Sequence, residues 1–421
     1  MKFSFLKSKI VHNISKLAFG NIIGELIGIL SIPVITRIYS PSEIGIFMFF
    51  FSVSDILANF VIGKYDSAIV ISNNKKEAIN IIQASFILTF INSMLLGLVF
   101  IIFGNYFMNF LGLDNLTLNN LIIIPFLIIS LNLYKIADHW NNYNRNYLIM
   151  ARAKVLQKAI AAILQIIFSF FGFLGLVFGR FISQIISSIY MFIIGNKSLK
   201  INGFKSINYR KNLMILKKYS DFPKFYLPST ISNRISYNLP NITFSKLFTT
   251  EINGLYSLSY RLIASPMGII MSSIGQIFYK EASLIYSSNK KNLYPFLKSF
   301  YKNIFIIGII PFTILFFIAP DLFAFLLGKE WLQSGKFIQI LIPWLFLVFL
   351  NSPLTSVLII LKKQKQLFIY EFLSMFSRVF IVIFSAFYYD DPIYTVGAYS
   401  SIGFLCSFCL FVYIIKSTKN C

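Results

Sequence analysis

Residues 80–103 read NIIQASFILTFINSMLLGLVFIIF, without one charged residue or proline. A helix needs about 20 apolar residues to cross a bilayer. A strand of a membrane barrel needs about ten, of alternating polarity. This run is continuous and too long for such a strand, and so is the apolar stretch 298–319. The rest of the chain has the same character. Of its 421 residues, 57% are hydrophobic and 13% charged. A soluble domain has about 45–50% apolar and about 25% charged residues. A soluble surface could not hide 48 Phe and 23 Tyr. The composition excludes a large cytosolic enzyme and a disordered chain, and predicts an all-α polytopic membrane protein.

Twelve spans are expected, at 17–36, 43–63, 80–103, 118–137, 151–171, 173–195, 223–245, 254–279, 299–319, 337–361, 366–388 and 393–415. The first is too long for a cleaved signal and no small-x-small site follows it before Arg37. Lys and Arg then segregate. Counting terminal segments and loops in order, the odd-numbered ones carry 29 and the even-numbered ones 4. Cytoplasmic loops hold the excess of positive charge, so both termini are expected on the cytoplasmic side. The net charge of +23 is then loop charge, and no nucleic-acid partner is expected.

Three blocks follow: an N-terminal six-helix lobe (1–195), a basic cytoplasmic linker (196–222) and a C-terminal six-helix lobe (223–421). In the linker, Leu213, Ile215 and Leu216 stand beside Lys211, Lys217 and Lys218, which suits a short helix on an anionic leaflet. A plain solvated linker is the other reading. The halves are weakly repeated. At an offset of 209 residues, Arg37-Ile-Tyr-Ser falls on Lys246-Leu-Phe-Thr and Gly45-Ile-Phe on Gly254-Leu-Tyr. At 215, Ser72-Asn-Asn-Lys-Lys meets Ser287-Ser-Asn-Lys-Lys. Six spans per half give both copies one orientation, a parallel repeat with a central cavity between two bundles.

Seven charged residues lie inside apolar runs: Glu25, Asp55, Arg180, Arg234, Arg261, Glu371 and Arg378. Facing lipid they would cost about 20 kcal/mol together, so they are expected to face a cavity or one another. Glu25 and Arg234 differ by the repeat offset, which predicts that they meet. Arg234, Arg261 and Arg378 in the second half could grip an anion through guanidinium forks. Asn59, Asn233, Tyr237 and Asn238 are expected to offer polar contacts there. Pro33 and Pro266 would loosen their helices or fix a kink. Cys406 and Cys409 read as small core residues, and His12 and His139 make no metal site, so no metal or other cofactor is expected. The chain has no GxxxxGK[ST], no Ser/His/Asp constellation and no long external loop for catalysis. A transporter is therefore expected, not an enzyme.

IPVITRIYSPSEIGIF (32–47), GKYDSAIVIS (63–72) and YSLSYRLIASPMGIIMSSIGQIFYKEAS (256–283) resemble the polysaccharide-exporting branch of the multidrug/oligosaccharidyl-lipid/polysaccharide (MOP) superfamily. That branch includes the O-antigen and capsule repeat-unit flippases. The resemblance implies two six-helix lobes opening alternately to either side of the bacterial inner membrane. It implies as substrate an undecaprenyl-pyrophosphate-linked oligosaccharide, with membrane lipids and the polysaccharide polymerase and chain-length machinery as partners. Carried onto this sequence, it points to Arg37, Lys64, Asp66 and Arg261. Together with the in-span charges, Arg234, Arg261, Arg37 and Arg378 become the candidate substrate-binding set. Glu25, Asp55, Asp66 and Lys64 become the candidates for gating or ion coupling. An ion-coupled small-molecule antiporter of the same superfamily is one alternative, and a membrane-embedded glycan polymerase or ligase is another.

Overall fold

The computed structural model describes residues 2–111, 118–197, 209–361 and 363–419, all helix and turn with no strand among them. The helices are α1 (Lys2–Ile38), α2 (Pro41–Ile62), α3 (Tyr65–Ala68), α4 (Lys75–Leu111), α5 (Leu118–Leu121), α6 (Ile123–Tyr143), α7 (Tyr147–Ile167) and α8 (Phe173–Lys197). There follow α9 (Tyr209–Lys218), α10 (Leu227–Leu247), α11 (Thr250–Ser288), α12 (Leu293–Leu327), α13 (Leu332–Asn351), α14 (Ser356–Ile360), α15 (Gln364–Tyr389) and α16 (Pro392–Lys419). Helices α1, α2, α4, α6, α7 and α8, and then α10, α11, α12, α13, α15 and α16, each reach 20 residues or more. They correspond to the twelve expected spans. Eight are apolar enough to cross a membrane by length and composition. The other four, α6, α7, α10 and α11, are long enough but too polar by composition, and they carry much of the charge described below.

The motif residues owe their places to local chemistry. Ser40, in extended conformation, caps α2: its Oγ accepts from the Glu43 N–H at 3.3 Å, and the Glu43 carboxylate accepts from the Ser40 N–H at 2.8 Å. Pro41 supplies a first-turn residue that has no N–H to satisfy. The helix ends at Gly63 (φ 61°), and Lys64 follows with φ 60°. Two successive left-handed residues, the second not glycine, turn the chain sharply into α3. The repeat reappears as capping. Thr249, 209 residues after Ser40, caps α11 by accepting from the Ile252 N–H at 3.2 Å. Asn74 accepts from the Glu77 N–H at 2.9 Å to open α4, and Asn289, 215 residues on, accepts from the Lys291 N–H at 3.1 Å.

The chain divides into two compact units, 1–246 and 247–421. This division falls after α10, not at the 196–222 linker, because α10 makes its polar side-chain bonds to α2. In the first unit, α1 lies against α7 along a glycine ridge. A Cβ at Gly20 would stand 2.4 Å from the Ala151 Cβ, and one at Gly24 would stand 3.3 Å from Lys154 Cγ. A core of Ile62, Ile69, Ile81, Ile82, Ile136 and Trp140 closes one end of the unit. Ile215 and Tyr219, from α9 and the residue after it, join that core. The second half of the linker is thus docked on the unit, with Leu213 and Met214 left exposed. Its first half, 198–208, lies outside the described residues. In the second unit, Ser259 Oγ donates to the Ser334 carbonyl and Ser334 Oγ to the Leu255 carbonyl, both at 2.9 Å, joining α11 to α13. Cys406 is half-buried beside Ser377 and Cys409 is exposed, so the second is no core residue. Cys421 lies outside the described residues.

Candidate functional site

Ser52, Asp55 and Asn59 lie three and four residues apart, so they share one face of α2. Arg234, Asn238 and Asn241 do the same on α10. The two faces are joined by polar side chains. Asn241 Nδ2 donates to Ser52 Oγ at 2.8 Å, Asn238 Nδ2 to Asp55 Oδ2 at 3.2 Å, and Arg234 Nη1 to the same Oδ2 at 2.9 Å. Asp55 is 7% exposed, whereas 45% of the Arg234 side chain is exposed. The carboxylate therefore anchors one edge of the guanidinium while much of its surface stays accessible. Lys135 of α6 brings its Nζ to 4.0 Å from Asp55 Oδ1.

A second charged group lies at the α2–α3 turn. Asp66 is fully buried, with His139 Nε2 3.3 Å from its Oδ2. Burial pushes its carboxyl up, but the His139 contact and the Lys64, His139 and Lys135 charges outweigh it and hold the group below its usual range. Asp66 is a fixed negative charge at neutral pH and not a proton carrier in this arrangement. Lys64 is itself buried, its Nζ 5.6 Å from the Tyr226 ring centroid. Tyr226 closes a single π-helical turn, Phe222–Tyr226, that leads into α10.

Several expected placements are corrected. Glu25 does not meet Arg234: it pairs with Lys158 at 3.1 Å and Lys154 at 3.7 Å, both on α7. The repeat offset set the two residues at matching chain positions, but each found an opposite charge nearer at hand. Asn59 is fully buried and donates to the Asp55 carbonyl at 2.7 Å, so it braces α2 and does not line an open surface. The side chains of Asn233 and His12 lie outside the described residues. Tyr237 is exposed. Arg37 is exposed in the last turn of α1. Arg261 is exposed on α11, in the second unit. Arg378 lies 5.4 Å from the Trp344 ring and bonds Ser374 Oγ through Nε at 3.1 Å, among Tyr256, Tyr260 and Tyr399, which pack with Trp344. Lys135, Lys154 and Lys158 are the residues that reading the sequence misplaced. Counted as flanks of a loop, they stand inside helices, because α6 runs to Tyr143 and α7 restarts at Tyr147.

A model of the family described as "Polysaccharide biosynthesis protein" matches residues 34–336. The chain belongs to this family. The match takes in Arg37, Asp55, Lys64, Asp66, Arg234 and Arg261, and leaves Glu25 and Arg378 outside. Among curated relatives of the family's chain, the capsular polysaccharide biosynthesis protein CapF of Staphylococcus aureus is 23% identical over 340 residues, covering 79% of this chain and 81% of CapF. Among solved structures, an inward-facing MATE family multidrug resistance transporter of the MOP superfamily aligns with a TM-score of 0.72 at 14% identity, over 97% of this chain and 99% of its own. Lipid II flippase MurJ, in an inward closed conformation, aligns with 0.69 at 16% identity, over 96% and 88%. At these identities the structures establish the fold: this member of the polysaccharide biosynthesis family is a multi-pass membrane protein with the architecture of MOP transporters.

Proposed function

We propose that the chain is a flippase. It carries undecaprenyl-pyrophosphate-linked oligosaccharide units from the inner to the outer leaflet of the bacterial inner membrane, for capsule or O-antigen synthesis. The observation that carries this reading is the half-exposed Arg234, held by one edge on buried Asp55. A guanidinium so oriented keeps donors for a diphosphate, which it grips through two parallel hydrogen bonds. A sugar diphosphate is too polar to cross about 30 Å of hydrocarbon unaided. Family membership and the likeness to CapF support a polysaccharide pathway, and the fold shared with MurJ supports lipid-linked cargo.

In this reading Arg261, Arg37 and Arg378 are further cationic contacts, and the two lobes open alternately with both termini cytoplasmic. A polymerase and its chain-length partners use the delivered unit. Surface glycan in a flippase-deleted strain is the test. At matched membrane levels, Arg234→Ala abolishes export and Arg234→Lys keeps part of it. Wild-type export by Arg234→Ala would refute the reading.

A further inference from the structure

Asp55 has two cations within reach, on two helices. Arg234 of α10 is engaged at 2.9 Å. Lys135 of α6 stops at 4.0 Å, and its buried Nζ has no hydrogen-bond partner among the described residues. A buried ammonium without a hydrogen bond is costly, and this one lies beside the acceptor that would relieve it. The other carboxylate within its electrostatic reach, Asp66, already has His139 at 3.3 Å and the Lys64 charge.

The arrangement has a consequence for ligand capture. Asp55 is buried, so an anion that drew Arg234 away would strand an uncompensated carboxylate. That penalty would oppose binding. Lys135 removes it. A shift of roughly 1 Å turns its present approach into a charge-assisted hydrogen bond of about 2.8 Å. We propose that Lys135 is the reserve counter-ion of Asp55. When an anionic ligand takes Arg234, Asp55 passes from Arg234 to Lys135, and α10 is released from α2 without leaving a buried charge unpaired. Lys135 is thus a positioning residue: it touches no ligand and acts through Asp55. The inference rests on the reading of Arg234 as a diphosphate contact.

Docking of α10 on α2 can be read one turn away, where Asn241 bonds Ser52 at 2.8 Å. Cysteines placed there, Ser52→Cys with Asn241→Cys, report docking as the rate of cross-linking by a short thiol reagent. Cys406, Cys409 and Cys421 are replaced by Ser in that full-length background. Inorganic pyrophosphate is the probe. In the parent it lowers the cross-linking rate. With Lys135→Gln added, the midpoint concentration rises by about tenfold or more, as expected when a buried charge loses its alternative partner. Adding Asp55→Asn to Lys135→Gln brings the midpoint back to within about threefold of the parent, because no charge is left to compensate. Lys135→Arg keeps the parent midpoint and covers the case in which Lys135→Gln does not fold. An unchanged midpoint in Lys135→Gln, or a midpoint raised as far by Lys135→Arg, overturns the counter-ion role and leaves the diphosphate reading standing. A parent that does not respond to pyrophosphate overturns both.

Discussion

At the scale of single residues, an in-span charge takes its role from the nearest opposite charge. Glu25 shows this. Its carboxylate ties α1 to α7 through Lys154 and Lys158, with the Glu25 and Lys158 side chains 18% and 13% exposed. Such a pair lies between the surface and the fully buried cases. Glu25→Ala should therefore cost about 1–3 kcal/mol, and Lys158→Met in the same chain should recover part of it. Thermal unfolding in detergent checks both values. The charge swap Glu25→Arg with Arg234→Glu should rescue nothing. Asp66 makes a prediction of opposite kind. Its folded pKa lies below the unfolded value, so its contribution is present above about pH 4 and lost as pH falls through the folded pKa. Asp66→Asn should lower the unfolding temperature at pH 7, and the gap from wild type should narrow below about pH 4. A gap that stays constant with pH would contradict the ion-pair account. The sequence revealed that Asp55 and Arg234 need partners, because hydrocarbon leaves a charge no other choice. It did not reveal which partners. Lys135, Lys154 and Lys158 sit among polar residues at helix ends, where a window of composition reads loop.

Among the elements, helix ends were the most legible feature. SPSE at 40–43 and SNNKKE at 72–77 carry capping side chains at fixed spacing, and the structure makes those bonds. Ser40→Ala and Thr249→Ala should each cost about 0.5–2 kcal/mol. Similar losses at the two positions would show that the repeat is physical as well as textual. Chemical denaturation of the purified protein measures them. The glycine ridge on α1 was not read from the sequence, since Gly20, Gly24 and Gly28 are unremarkable in an apolar run. Its meaning comes only from α7 lying against it. A Cβ at Gly20 would come 2.8 Å from the Ala151 Cα as well as 2.4 Å from its Cβ. Gly20→Ala should force the helices apart, at about 1–3 kcal/mol, and Ala151→Gly should restore part of the loss. The boundary between units was misjudged for a related reason. A basic linker is visible in composition, whereas the attachment of α10 to α2 depends on three side chains 180 to 190 residues away from their partners.

For the molecule as a whole, the architecture follows from span count and charge asymmetry, and the MOP-type fold agrees with it. Reporters fused after Asn196 and after Asn115 should read cytoplasmic and external respectively, since 29 of 33 loop and terminal cations fall on one side. Transport is the larger claim, and it places the diphosphate of a lipid-linked oligosaccharide on Arg234 while Asp55 gives that arginine up. Translocation by the purified chain in proteoliposomes tests it most directly, with undecaprenyl-pyrophosphate-oligosaccharide in one leaflet and a glycan-cleaving enzyme outside. Wild-type protein should expose the glycan to cleavage. Arg234→Ala should reduce the rate to that of empty vesicles, and Arg234→Lys should fall between. Equal rates for wild type and Arg234→Ala, or no translocation by the wild-type chain, would contradict the account.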